Sequence, residues 1–252
     1  MRLNHYLASC GVCSRRRADQ LILDGRVVVN KELVTELGVK VDPATDKVTV
    51  DGKPVSFETK KIFLFYKPKY VVSTLSDPQG RRSLTDFLRE VRFRLFPVGR
   101  LDYDVSGLMI LTNNGDYANI NLHPRYEVRR RYLAMVEGEV LAETAKKTLL
   151  GVELEDGFSK IYSFKILNKR DRIVKKFFSD SQLKTSRRRY SDIEEVSYID
   201  IEVAEGRKHL VKRIFKSIDH PVIELIRTEH GEFSLLERVG SDLVEGDLVE
   251  IS

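Results

Sequence analysis

A chain of 252 residues, 42% hydrophobic and 32% charged, has the composition of a globular protein with a real core and is long enough for a small domain joined to a larger one. A formal charge of +5 tilts the balance towards polyanionic partners without deciding the matter. No apolar run is long enough to cross a bilayer, Arg15, Arg16, Arg17 and Asp19 arrive too early for a signal-peptide core, and Cys10 and Cys13 cannot make a disulfide framework; the expectation is a reduced, cytoplasmic protein without a membrane role.

Ser14 is placed to cap a helix whose apolar positions Ala18, Leu21 and Ile22 follow helical spacing, and Gly25 is a plausible stop. Arg26 to Asn30 then reads as a strand entering a turn, Val48–Val50 as another strand, and Asp51-Gly52 as the turn before Lys53-Pro54-Val55. Residues 1–58 therefore form a first module, and the polar stretch 56–60 a linker. A second unit, 61–252, begins with the apolar run Ile62–Phe65. Within it, Asp77–Gly80 is a turn, 84–96 is partly helical, Leu108–Leu111 is a buried strand closed by the turn Asn113-Asn114-Gly115, and Tyr132–Val136 and Tyr198–Val203 are strands. A helix spans 207–218 with Leu210, Val211, Ile214, Phe215 and Ile218 on one face. Strands and helices mix without βαβ alternation, which predicts an α+β fold: a small α/β module, then a larger domain with a mixed, largely antiparallel sheet and flanking helices. Residues 169–189 are crowded with Lys and Arg and read as a solvated loop.

Two features invite chemistry. Cys10-Gly-Val-Cys13 is a CxxC, but the five histidines supply no zinc-ligand spacing and no thioredoxin-like context surrounds it, so the pair reads as small helix or turn residues and no metal site is expected. His123, His209, His220 and His230 are scattered, and His220 beside Pro221 reads as a turn residue. The sharper feature is Gly99-Arg100-Leu101-Asp102-Tyr103-Asp104-Val105-Ser106-Gly107-Leu108, in which a carboxylate precedes a glycine and a buried strand. Such a carboxylate can sit at a cleft edge on a rigid support, and Gly107 admits close backbone approach. On physical grounds alone, a surface turn with acidic residues is the better account.

This segment resembles the signature of the pseudouridine synthases, in particular the branch that modifies ribosomal RNA and carries an N-terminal S4 domain. Lys67-Pro68 with Val71-Val72-Ser73-Thr74, then His123–Val128 leading to Tyr132, then Glu205-Gly206-Arg207 through Arg213 with His220-Pro221-Val222 and Leu225, resemble the family's other blocks in the expected order. Arg2-Leu3, Leu7, Gly11-Val12, Ser14-Arg15-Arg16, Ala18, Leu21-Ile22, Gly25 and Val29-Asn30 are similar to an S4 domain. The resemblance implies Asp102 as the catalytic carboxylate and Tyr132 as the active-site tyrosine. Lys212 stands where the family has an arginine beside the aspartate; a cation there favours the charged form of Asp102 but lacks the bidentate fork. Arg100 and Leu225 would contact the substrate, and Arg2, Arg15, Arg16 and Arg17 would bind RNA phosphates, the last three at a helix start that favours anions. Leu210 replaces a glutamine, Val105 a threonine, Tyr66 an asparagine, Tyr70 a glycine and Lys31 the glycine after Asn30.

The implied activity breaks the N1–C1′ bond of a uridine and joins C5 to C1′. It needs no redox step or group donor, so no cofactor is implied. The implied partner is structured RNA, either ribosomal RNA or an assembling ribosomal subunit, met by a monomer. Two other readings are a non-catalytic ribosome-assembly factor that keeps the fold, favoured by Lys212 and Leu210, and a hydrolase using Asp102 and Asp104, which lacks a second acid block.

Overall fold

The computed structural model describes residues 1–178, 195–236 and 243–251 of the chain. Two helices open it: α1 (Leu3–Ser9) and α2 (Arg15–Leu23). Ser14 Oγ accepts the Arg17 N–H at 3.2 Å, the expected cap, a contact worth about 1 kcal/mol. The helical spacing buries Ala18, Leu21 and Ile22, and Gly25 ends the segment at a φ of +67°. Strands β1 (Val27–Val29), β2 (Glu32–Val34), β3 (Val48–Val50) and β4 (Lys53–Pro54) follow as an antiparallel sheet in the order β2-β1-β3-β4. Asn30 and Lys31 both take positive φ, 51° and 74°, to turn β1 into β2. Lysine thus occupies a left-handed position where the resemblance has glycine. Cys10 and Cys13 are free thiols buried in the core shared by α1, α2 and this sheet, and burial pushes the Cys10 thiol up to about 11.

The larger unit is built on a nine-stranded sheet. Its strands are β5 (Ile62–Lys67), β6 (Phe96–Pro97), β7 (Ser106–Thr112), β8 (Arg130–Glu137), β11 (Ser163–Leu167), β12 (Val196–Val203), β13 (Val222–His230), β14 (Phe233–Ser234) and β15 (Leu248–Glu250), and β9 (Val152–Leu154) pairs separately with β10 (Gly157–Ser159). The main path runs β11-β12-β8-β13-β7-β5-β15, with β14 on β13 and β6 on β7. Among the described strands of this sheet only β13 and β7 pair in parallel, so it is mixed and largely antiparallel. All seven residues of β7 are buried, as the apolar run Leu108–Leu111 predicts for a strand covered on both faces.

Each face of the sheet carries its own core. One gathers Phe65, Met109, Ala134, Ile199 and Leu225 under α4 (Ala142–Leu149) and α6 (Leu210–Ser217). The other gathers Leu64, Leu108, Ile110, Leu133 and Ile226 with Ala118 of α3 (Gly115–Leu122) and Val174 and Phe177 of α5 (Arg172–Phe177). Helix α6 buries Leu210, Val211, Ile214 and Phe215, each worth about 2 kcal/mol in area removed from water.

Several expectations need correction. In the stretch 84–96, expected to be partly helical, the helical part is one 3-10 turn, Leu84–Phe87, closed by a reciprocal Ser83–Asp86 capping box. Beyond it Val91, Phe93 and Leu95 pack onto the core from irregular chain, because a spacing of two cannot lie on one helix face. The turn at Asn113–Gly115 also starts α3, since Asn114 Oδ1 accepts from the N–H groups of Asp116 and Tyr117. The basic stretch read as a loop contains α5, held by buried Val174 and Phe177; its remainder, 179–189, lies outside the described residues. The helix expected from 207 begins at Leu210, because His209 is left-handed at a φ of 51°.

Candidate active site

Asp102 lies between β6 and β7. Gly99 turns the chain at a φ of +81°, Leu101 is buried, and the Val105 N–H donates to the Asp102 carbonyl at 3.1 Å, closing a turn that runs directly into β7. The loop after β5 grips this turn. Ser73 Oγ donates to the Leu101 carbonyl at 2.6 Å and accepts the Leu101 N–H at 3.1 Å, and the Tyr70 N–H donates to the Tyr103 carbonyl at 2.6 Å. Lys67, fully buried, holds that loop in turn, its Nζ donating to the Pro68 and Val71 carbonyls at 2.8 and 2.9 Å. Burial drives the Lys67 ammonium down to about 8.

The opposite wall is the segment 205–209 and the first turn of α6. Residues three apart on a helix start share a side, and His209 and Lys212 both reach the acidic turn. His209 Nδ1 lies 2.7 Å from Asp102 Oδ2; a carboxylate oxygen there accepts, so Nδ1 carries the proton. Lys212 Nζ donates to Asp104 Oδ1 at 2.6 Å and stands 3.7 Å from Asp102 Oδ2. Lys212 is therefore beside Asp102, but its hydrogen bond goes to the neighbouring carboxylate. Burial would raise the Asp104 carboxyl, but the Lys212 ammonium bonded to it outweighs that and holds it below the usual range. His209, in sequence one of several scattered histidines, is the side chain closest to Asp102 among the ion pairs of the described residues. Arg213 points away, to Asp156.

The sheet supplies the floor. Arg130 and Tyr132 lie on one face of β8, Leu225 and Arg227 on one face of β13, and all four line an inner cleft of about 150 Å³ together with Arg100, Asp102, His209 and Lys212. Arg130 donates to the carbonyls of Val128, Ala204 and Asn121, tying α3, β8 and the end of β12 together. Arg227 is buried and donates from Nε to the Leu108 carbonyl. The cleft opens into a wider outer part of about 560 Å³, lined by Ser73, Thr74, Arg81, Arg100, Tyr103 and Lys208. Asp102, Tyr132, Lys212, Arg100 and Leu225 thus meet in one cleft. Arg15, Arg16 and Arg17 are exposed in the first turn of α2 and Arg2 at the start of α1; none of the four lines the cleft. Sequence reasoning does not single out Arg130, Arg227 or His209. For His209, its place three residues before Lys212 at a helix start is the one signal that could find it.

No helix of the described residues is long and apolar enough to cross a membrane. The family described as RNA pseudouridylate synthase matches residues 61–217, and the S4 domain matches residues 1–46. An uncharacterized RNA pseudouridine synthase of Aquifex aeolicus (strain VF5) is 42% identical over 236 residues, covering 93% of this chain and 86% of the relative. The ribosomal large subunit pseudouridine synthase B of Bacillus subtilis (strain 168) is 39% identical over 234 residues, covering 93% and 87%. A solved pseudouridylate synthase has the same fold, with a TM-score of 0.62 at 21% identity over 100% of this chain and 96% of that one. With its S4 domain, its mixed sheet and a cleft built around the Gly-Arg-Leu-Asp turn, this chain belongs to the RNA pseudouridine synthases, a family of isomerases.

Proposed function

We propose that this protein converts a specific uridine of ribosomal RNA to pseudouridine, with Asp102 as the carboxylate nucleophile. The observation that carries this reading is the convergence on one cleft of Asp102 and Arg100 from the turn before β7, Tyr132 from β8, Lys212 from α6 and Leu225 from β13. The name of the Bacillus subtilis relative makes large-subunit RNA the substrate to try first.

The reaction breaks N1–C1′, turns the base, forms C5–C1′, releases the C5 proton and leaves a proton on N1. Asp102 takes part in the bond changes while the His209 bond aims its carboxylate. Lys212 supplies positive charge between the two carboxylates. Tyr132 packs against the base and assists the C5 proton transfer, and Leu225 walls the pocket against water. Arg100 has no ion pair among the described residues and stands at the junction of the inner and outer cleft, placed to meet a phosphate or to fill the gap left by the uridine. Extruding the uridine costs a few kcal/mol, offset by contacts along the rest of the RNA.

In this reading residues 1–58 are an RNA-binding domain acting through Arg2, Arg15, Arg16 and Arg17, and 61–252 are the catalytic domain. The protein works as a monomer in the cytoplasm, on ribosomal RNA or an assembling subunit, without a cofactor. Tritium release from ribosomal RNA labelled at uridine C5 tests it. Wild type should release tritium, and Asp102→Asn should release none above background. An Asp102→Asn variant as active as wild type would remove Asp102 from the chemistry. Silence from wild type on both free RNA and immature subunits would favour the non-catalytic assembly factor.

A further inference from the structure

Tyr70 is an anomaly. Its φ is +62°, a left-handed conformation that the Cβ of an L-residue disfavours and that glycine adopts freely. The residue is also 46% exposed, so little core burial compensates for the backbone cost. A strained residue with an exposed aromatic ring beside an active site calls for a role outside folding.

Its surroundings suggest that role. The Tyr70 and Tyr103 rings meet edge to face, with centroids 5.5 Å apart, and Tyr103 is itself 43% exposed. The Tyr70 N–H bond to the Tyr103 carbonyl fixes the two backbones together. Tyr103 lines the outer cleft one residue after Asp102, and the Arg81 guanidinium lies 6.0 Å from its ring. On the same cleft, Arg100 and Lys208 have no ion pair among the described residues. Exposed aromatic rings beside free cations are the equipment with which proteins hold unpaired nucleotides: bases stack on the rings and phosphates meet the charges.

We propose that Tyr103, on the wall of the outer cleft, and Tyr70, packed edge to face against it, form a stacking shelf for the base of a nucleotide flanking the target uridine, with Arg100 and Lys208 facing its phosphates. The inner cleft then takes the reacting uridine and the outer cleft its neighbour, so the shelf contributes to the choice of RNA site. This rests on the uridine-isomerising reading.

The test compares full-length wild type, Tyr70→Gly and Tyr70→Phe in tritium release from C5-labelled ribosomal RNA, with KM and kcat resolved and thermal midpoints measured alongside. Tyr70→Gly should raise KM about tenfold, the scale of one stacked base, and leave kcat within about twofold. Its midpoint should hold or rise, since glycine relieves the left-handed backbone. Tyr70→Phe should keep the wild-type KM. A Tyr70→Gly KM within twofold of wild type overturns the shelf, and so does a Tyr70→Phe variant as impaired as Tyr70→Gly, which would assign the effect to the hydroxyl. If wild type releases no tritium, the isomerisation reading has failed by itself. The shelf is then read from fluorescence anisotropy with fluorescein-labelled large-subunit ribosomal RNA fragments: tenfold weaker binding by Tyr70→Gly supports it and equal binding overturns it.

Discussion

Lys67 holds Asp102 in place without touching it. Its ammonium closes the loop after β5, Ser73 of that loop clasps Leu101 on both sides of its peptide, and Asp102 is the next residue. Burial is the cost of this arrangement, because a charged amine in the interior has given up its hydration. With a folded-state value of about 8 against an ordinary 10.5, the folded protein loses this proton at lower pH than the unfolded chain. The destabilisation is therefore complete below pH 8 and is relieved as pH climbs from about 8 to 10.5, where the unfolded state binds more protons. In urea unfolding, the stability of wild type minus that of Lys67→Met should rise across this window, by up to about 3 kcal/mol. A difference that stays flat from pH 7 to 10.5 would mean that Lys67 does not titrate there.

The parallel contact between β7 and β13 joins the turn bearing Asp102 to the strand bearing Leu225 and Arg227. It depends on Gly107. A Cβ at this position would lie 2.3 Å from the Arg227 carbonyl oxygen and 2.4 Å from its nitrogen, and the φ of +123° excludes other residues on backbone grounds as well. Neither neighbour is a flexible side chain, so Gly107→Ala should force the two strands apart. The expected loss is about 3–5 kcal/mol, combining overpacking with backbone strain, together with a fall in kcat because the Asp102–Val105 turn leads straight into β7. Urea unfolding of Gly107→Ala at wild-type stability would refute the close approach. Helix α6 makes the complementary contribution: its apolar face sits on the sheet, and its first turn directs Lys212 and His209 across the cleft.

The N-terminal module and the large sheet meet at Asn113. Its side chain accepts the Lys61 N–H and donates to Glu58 and to the Thr59 carbonyl, so the short linker is bonded to the end of β7 and the start of α3. The exposed arginines of α2 lie on the module side of this junction. Replacing Arg15, Arg16 and Arg17 together with alanine should leave the fold intact, because Ser14, Ala18, Leu21 and Ile22 maintain the helix. It should weaken binding to ribosomal RNA ten- to hundredfold and flatten the log Kd against log salt plot by about 2, on the order of 0.7 per lost phosphate contact. An unchanged salt slope would place the RNA elsewhere on the molecule. Activity under single-turnover, saturating RNA should change little, since none of the three lines the cleft.

Features that depend on neighbours along the chain are legible in the sequence itself. The Ser14 cap, the helical spacing of Ala18, Leu21 and Ile22 and the buried run of β7 follow from propensities and sterics acting over a few residues. The Gly-Arg-Leu-Asp block is recognisable by resemblance, and the large sheet is mixed and largely antiparallel as expected. What the linear chain does not reveal lies across long separations. His209 reaches Asp102 over 107 positions, and Lys212 bonds Asp104 in preference to Asp102. Which carboxylate oxygen a long side chain meets is a matter of about an ångström. That distance is set by the pairing of β12, β8, β13 and β7 and by the seat of α6 on their common core, so it exists only once those elements have packed.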